Sequence, residues 1–197
     1  MPPLLRWEGD WDTWRHVRLG TTEEAWAFST AMFDANHKLP GELLWWRAML
    51  QEESSNAVER IIRDTIVARG EELLKPEKRR NRSLLGSRGF EATLVTPDKE
   101  YRVVAVNANG GSLMFLDYYK PEEHDAMLKF YFVDPDTISV GIYSDGPHKV
   151  HCGDLCRALG HAGPTPSGGG HAGVGGFQTD YAYFRTLLKD FVPLYKK

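Results

Sequence analysis

The feature that most limits what this chain can become is a switch in hydrophobic period at Gly89. Upstream, Val58, Ile61, Ile62 and Ile66 recur at three- and four-residue steps, which places them on one face of a helix. Downstream come short apolar runs bounded by turn residues: Phe90–Val95, Tyr101–Asn107, Ala126–Val133 and Ile138–Tyr143. Strands lying beside helices predict an α/β fold. The expected organisation is a helical extension over 1–88 and a mixed β-sheet domain with flanking helices over 89–197. A length of 197 residues suits one such domain with an extension, and 42% apolar residues suffice for its core.

In the helical half, Thr21-Thr22-Glu23-Glu24 reads as a capping box, so a helix is expected from there to about Phe33. Trp26, Phe28 and Phe33 are candidate core. Asn36 to Gly41 reads as a turn. Glu42 to Glu52 carries Leu43, Leu44, Trp45, Trp46, Met49 and Leu50, enough to bury most of a short helix. A longer helix follows Ser54-Ser55 and is expected to end before Pro76, because proline lacks the amide a helix interior needs. The basic stretch Lys75–Arg88 reads as a solvated helix end and connector, with phosphate binding as the other reading. Asp10 and Asp12, set among Trp7, Trp11 and Trp14, read as a packed linker rather than an acid/base pair. Trp45-Trp46 reads as helix core or a subunit interface, with base stacking as the alternative.

In the strand half, Pro97-Asp98-Lys99-Glu100 is a turn signal between two strands. The second of these, Tyr101–Asn107, is apolar enough to lie centrally. Short helices are expected at Leu113 to Tyr119 and at Asp154 to Leu159, and a last one at Tyr181 to Phe191. Ser112 is placed to cap the first of them or to contact a ligand.

The segment with chemical content is Ser167-Gly168-Gly169-Gly170-His171-Ala172-Gly173-Val174-Gly175-Gly176-Phe177, in which six of eleven residues are glycine. Glycines expose backbone amides and permit positive φ. Successive exposed amides form a concavity for an anion. A histidine among them can hydrogen-bond a phosphate or protonate a leaving group. On glycine content alone, a flexible surface loop is the competing reading.

With its flanks, the segment resembles the C-terminal substrate-binding domain of the DHH phosphoesterase superfamily, whose signature is GGGH followed by small residues and Phe. Gly168-Gly169-Gly170-His171 and the run to Phe177 carry that likeness. Ile138 to Ser144 looks like the family's strand before the loop; Tyr143 stands where many members have an arginine. Val150 to Gly160 looks like its short helix, and His161 to Ser167 like a small insertion. Trp7 to Trp14 is similar to an acidic, Trp-containing linker of the oligoribonuclease and cyclic-nucleotide phosphodiesterase branch. The resemblance implies a ligand-binding set of Gly168, Gly169, Gly170, His171, Tyr143 and Ser144. It implies a nucleotide, cyclic nucleotide or short oligonucleotide as ligand.

The same resemblance implies a missing catalytic half. Family members carry an Asp-His-His triplet in an N-terminal domain that holds two metal ions, usually manganese. No such triplet occurs here, and His124-Asp125 is the nearest imitation. The chain is expected to begin where that domain would end. Non-catalytic binding, as sequestration or sensing of a nucleotide signal, is therefore the first expectation, with no catalytic residues, metal or cofactor in this chain. The second is the binding half of a split manganese-dependent phosphodiesterase working with a partner chain. A homodimer is a further possible partner.

The remaining expectations are exclusions. A net charge of −3 argues against non-specific coating of duplex DNA. Two cysteines, Cys152 and Cys156, make no secreted disulfide framework. With no signal peptide and no membrane-length apolar run, a cytoplasmic location is expected. His148, His151, Cys152 and Cys156 have donor types that suit zinc, while burial as small apolar groups is the simpler role for the thiols.

Overall fold

The computed structural model describes residues 6–7, 22–34, 56–115, 117–144, 150–164 and 166–196. Asp10, Asp12, Trp45, Trp46, His148, the Glu42 to Glu52 helix and the Thr21 cap lie outside them. The chain divides into two compact units, Met1–Arg79 and Arg80–Lys197.

In the first unit, α1 (Thr22–Phe33) buries Ala25, Trp26, Ala27, Phe28 and Ala31. Trp7 stacks on Phe28 with ring centroids 5.6 Å apart. A helical stretch follows, formed by α2 (Asn56–Ile61), a π-helical segment (Ile62–Val67) and α3 (Ala68–Arg88). The predicted apolar stripe is present: Val58, Ile62 and Ile66 are buried, although Ile61 is 39% exposed. At Gly70 a Cβ would overlap the Ala27 carbonyl, so α3 and α1 touch backbone to backbone.

The expected stop before Pro76 is not there, because α3 carries that proline inside it and continues to Arg88. An interior proline costs about 3 kcal/mol, but Lys, Arg, Glu and Leu around it are good helix formers. Leu74 and Leu85, buried on either side, hold the helix by packing. The end of α3 belongs to the second unit. There Arg82 grips the Asp117 carboxylate through two nitrogens at 3.0 and 3.1 Å, and Tyr118 Oη donates to the Arg82 carbonyl at 3.1 Å.

The second unit is built on one seven-stranded sheet in the order β5-β6-β4-β3-β2-β1-β7. Its strands are β1 (Gly89–Val95), β2 (Glu100–Asn107), β3 (Ala126–Phe132), β4 (Thr137–Tyr143), β5 (Gly169–Gly170), β6 (Val174–Asp180) and β7 (Leu188–Pro193). β2 and β3 are parallel and every other pair is antiparallel, so the fold is a mixed α/β sheet with flanking helices. Val103 to Val106 are all 0% exposed, which marks β2 as the central strand its composition predicted. On one sheet face a single core gathers Leu128, Phe130, Ile138, Val140 and Ile142 with Leu155, Cys156 and Leu159 of α4 (Cys152–Ala162). Phe184 of α5 (Tyr181–Thr186) joins it.

Three local expectations change. Leu113 to Tyr119 is not a helix but a 3-10 turn, Ser112–Phe115, followed by further turns. The glycine-rich segment is not a loop throughout: it forms a two-stranded edge, β5 with β6. Tyr181 to Phe191 splits into a six-residue helix and β7. Asp180 caps that helix, its carboxylate accepting from the Tyr183 amide at 2.7 Å. Unpaired backbone on β1 then draws the chain into the sheet, a long-range pairing that local propensity does not encode.

Candidate functional site

α4 and the glycine segment define each other. His151 caps α4, its Nδ1 accepting from the Asp154 amide at 3.2 Å. The Cys152 amide donates to the Ala172 carbonyl at 2.9 Å and the Gly153 amide to the His171 carbonyl at 2.8 Å, while the Leu155 amide makes the first helical bond, to His151 at 3.0 Å. All four amides that open the helix are thus occupied. A helix N-terminus is commonly a phosphate site, but here the GGGH turn fills it with its own carbonyls.

The turn is tight and ordered. His171 N–H donates to the Val174 carbonyl at 2.7 Å. Ser167 Oγ donates to the Gln178 carbonyl at 2.9 Å and accepts from its amide at 3.0 Å. Gly168, Gly169 and Gly170 have φ of 110°, 150° and 145°, a region L side chains rarely enter. Gly153 and Gly160 bring α4 against the segment: a Cβ at the first would overlap the Gly170 carbonyl, and one at the second the Ser167 carbonyl.

Ladder register fixes how the glycines pair. Gly169 pairs with Gly176 and Gly170 with Gly175. Antiparallel pairs alternate between bonded and non-bonded. With His171 bonded to Val174, the Gly170–Gly175 pair is non-bonded, and the Gly170 carbonyl lies against Gly153 of α4. His171 is exposed at the end of that edge.

Of the residues implied by the resemblance, Tyr143 and Ser144 do lie beside the turn. Tyr143 pairs with Val174, and the Ser144 amide donates to the Gly173 carbonyl at 3.0 Å. Their side chains have structural duties. Ser144 is 1% exposed, and its hydroxyl donates to the Val150 carbonyl at 2.8 Å. Tyr143 Oη donates to the Gly110 carbonyl at 3.4 Å. A groove of about 320 Å³ on the sheet is lined by Gly168, Ser139, Ser167, Gly176 and Gln178 among others. It includes Gly168 but not Gly169, Gly170, His171, Tyr143 or Ser144.

Sequence reasoning missed two cations. Lys129 lies across Gly141 with its Nζ 5.8 Å from the Tyr143 ring centroid. Arg157 on α4 comes within 3.9 Å of where a Gly169 Cβ would stand. The signal for Arg157 was its spacing, four residues after Gly153 and three before Gly160, the helix face turned to the glycines.

Cys152 and Cys156 are buried in the core. Desolvation raises the pKa of both thiols, that of Cys156 to about 12. Thiols of this kind stay protonated and pack as small apolar groups, which opposes thiolate ligation of zinc.

Among the described residues, one group of potential metal ligands converges: Glu91, Glu123 and His124. His124 lies in the turns before β3, not at a helix end. Its Nδ1 accepts from the Lys120 amide at 3.0 Å and its Nε2 faces Glu91 Oε1 at 3.2 Å. An Nδ1 that accepts places the proton of the neutral ring on Nε2. Lys120 Nζ, at 3.0 and 3.2 Å, neutralises Glu123. The cluster, of which only His124 is buried, links β1 to the chain entering β3.

Compared with known proteins, the chain matches no family model and no curated protein sequence. No helix among the described residues is long and apolar enough to cross a membrane.

Proposed function

We propose that the second unit binds the phosphate of a nucleotide, cyclic nucleotide or short oligonucleotide at the outer edge of β5, without cleaving it alone. This reading takes the chain as a relative of the substrate-binding domain of DHH phosphoesterases. The observation that carries it is the Gly168–Gly170 edge, held at positive φ and bare of side chains, with an exposed imidazole at its end. The contacts assigned to the ligand are the glycine backbone and His171, with Tyr143 beside them. Ser144 holds the turn. The resemblance assigns cleavage to a separate Asp-His-His domain, and no such triplet occurs in this sequence, so capture without turnover is the assigned activity.

The test is a thermal-shift and calorimetric screen of the full chain against cyclic mono- and dinucleotides and short RNAs. A ligand that binds only the folded state raises its stability by mass action. The expected outcome is saturable binding, recovery of intact ligand by chromatography, and weaker binding by His171→Ala. Turnover by the pure protein with added manganese would replace this reading with a phosphodiesterase. Turnover only with an added Asp-His-His-containing chain would replace it with a split enzyme.

A further inference from the structure

We propose that Arg157 is the cation that grips the ligand's phosphate, an inference that rests on reading the β5 edge as a phosphate site. Three observations place it there. First, the donors nearest the turn are occupied: the opening amides of α4 cap the turn's carbonyls and the capping histidine, and the His171 amide closes on Val174. What remains at the end of the edge is the exposed His171 imidazole, too little by itself to hold a dianion against water.

Second, helical geometry carries Arg157 to the gap. Gly153, Arg157 and Gly160 fall on one face of α4. The two glycines abut Gly170 and Ser167, the two ends of the Ser167–Gly170 run. The residue between them therefore stands level with Gly168 and Gly169, and its Nη2 lies 3.9 Å from the Cβ position of Gly169.

Third, the guanidinium is held yet not used up. Nη1 donates to Asp154 Oδ1 at 2.8 Å, with the arginine side chain 54% and the aspartate 65% exposed. An exposed pair one helical turn apart contributes little to stability. It does fix the long side chain beside the glycines and leaves the rest of the planar fork for phosphate oxygens. Asp154 then acts as a stand-in anion that the ligand's phosphate joins or displaces. His151 Nδ1 lies 3.0 Å from the other oxygen of the same carboxylate.

This makes a terminal phosphate, rather than the bridging phosphodiester, base or sugar, the group recognised, and predicts that a 5′-phosphorylated dinucleotide is preferred to its unphosphorylated form. The experiment is calorimetry of the full chain with pApA, ApA and inorganic phosphate, on wild type, R157Q, R157K, D154N and H171A. R157Q is expected to weaken pApA binding about ten-fold or more and leave ApA unchanged, with an unaltered melting temperature. R157K should fall between. D154N should bind pApA as tightly as wild type or more tightly. Equal pApA affinity in R157Q and wild type, with H171A weakened, overturns the role of Arg157 and leaves the site standing. R157Q and D154N weakened alike, for ApA as much as pApA, would show that the pair only supports the helix, and also overturns it. Wild type binding none of the three probes overturns the site and the arginine together.

Discussion

The two edges of the sheet handle the same hazard in opposite ways. An edge strand offers unpaired backbone groups to any passing chain. β7 is blunted: Pro193 ends it, Lys189 and Asp190 sit on it as charges, and its register with β1 slips between Glu91 and Thr93. Asp190 takes a positive φ of 57° there, and Lys189 Nζ reaches Glu100 at 2.6 Å. β5 has none of these devices. It is two glycines long, bare of side chains, and backed by α4 through Gly153 and Gly160. Shortness protects it from pairing, and bareness leaves it open to a small anion. An edge guarded by charge keeps partners off, whereas one stripped of side chains admits a ligand that needs backbone donors.

The comparison can be broken by loading the bare edge. Gly170→Val places a side chain at φ 145° and against the Val174 carbonyl. The expected loss is about 3 kcal/mol of unfolding free energy in urea, with ligand binding abolished. The same valine at Asp190 on β7 should leave binding intact.

Alkali should loosen the β5 side next. Cys156 lies beneath it, close to Gly175, and burial pushes its pKa up to about 12 from an ordinary 9.0. The raised folded value means this contribution is complete below about pH 9 and drains away as pH climbs towards 12. By pH 10.5 the unfolded thiol has ionised while the folded one has not, a loss of about 2 kcal/mol. Urea midpoints for wild type and Cys156→Ala across pH 8 to 10.5 test it; parallel curves would show that the thiol does not contribute. Alkylation by iodoacetamide should be slow for both thiols in the native protein and fast in urea.

His171→Ala is expected to cost about 1–2 kcal/mol of ligand affinity and almost no stability, since the side chain is exposed and its backbone bonds persist. The smallest effect belongs to the guarded edge. Asp190→Gly relieves a strained φ and should stabilise by up to about 1 kcal/mol, with ligand affinity unchanged. A drop in affinity would mean that the two edges communicate.

Local pattern carried the reading a long way. The four central strands emerged with their boundaries nearly right, because Val103 to Val106, Leu128, Phe130, Ile138 and Ile142 bury surface that only a sheet could pair. His171 and its glycines were legible because glycine at positive φ is a local chemical requirement. The place of Arg157 beside them was not, since it depends on which face of α4 meets the segment. Ser144 was misjudged for a similar reason: a serine beside a loop looks available until its burial is known.

What the amino-acid order determined alone was therefore period, punctuation and composition: helices before Gly89, strands after it, and a segment able to adopt mirror-image backbone angles. Tertiary structure decided the rest. It made β5 and β6 strands although glycine has little preference for them, turned Leu188 to Pro193 into an edge, and carried α3 through Pro76 on the strength of buried leucines. It also spent the opening α4 amides on the turn. Pairing partners and burial reside in contacts between distant segments, and their energies, a few kcal/mol each, exceed the tenths that separate one residue's local preferences from another's.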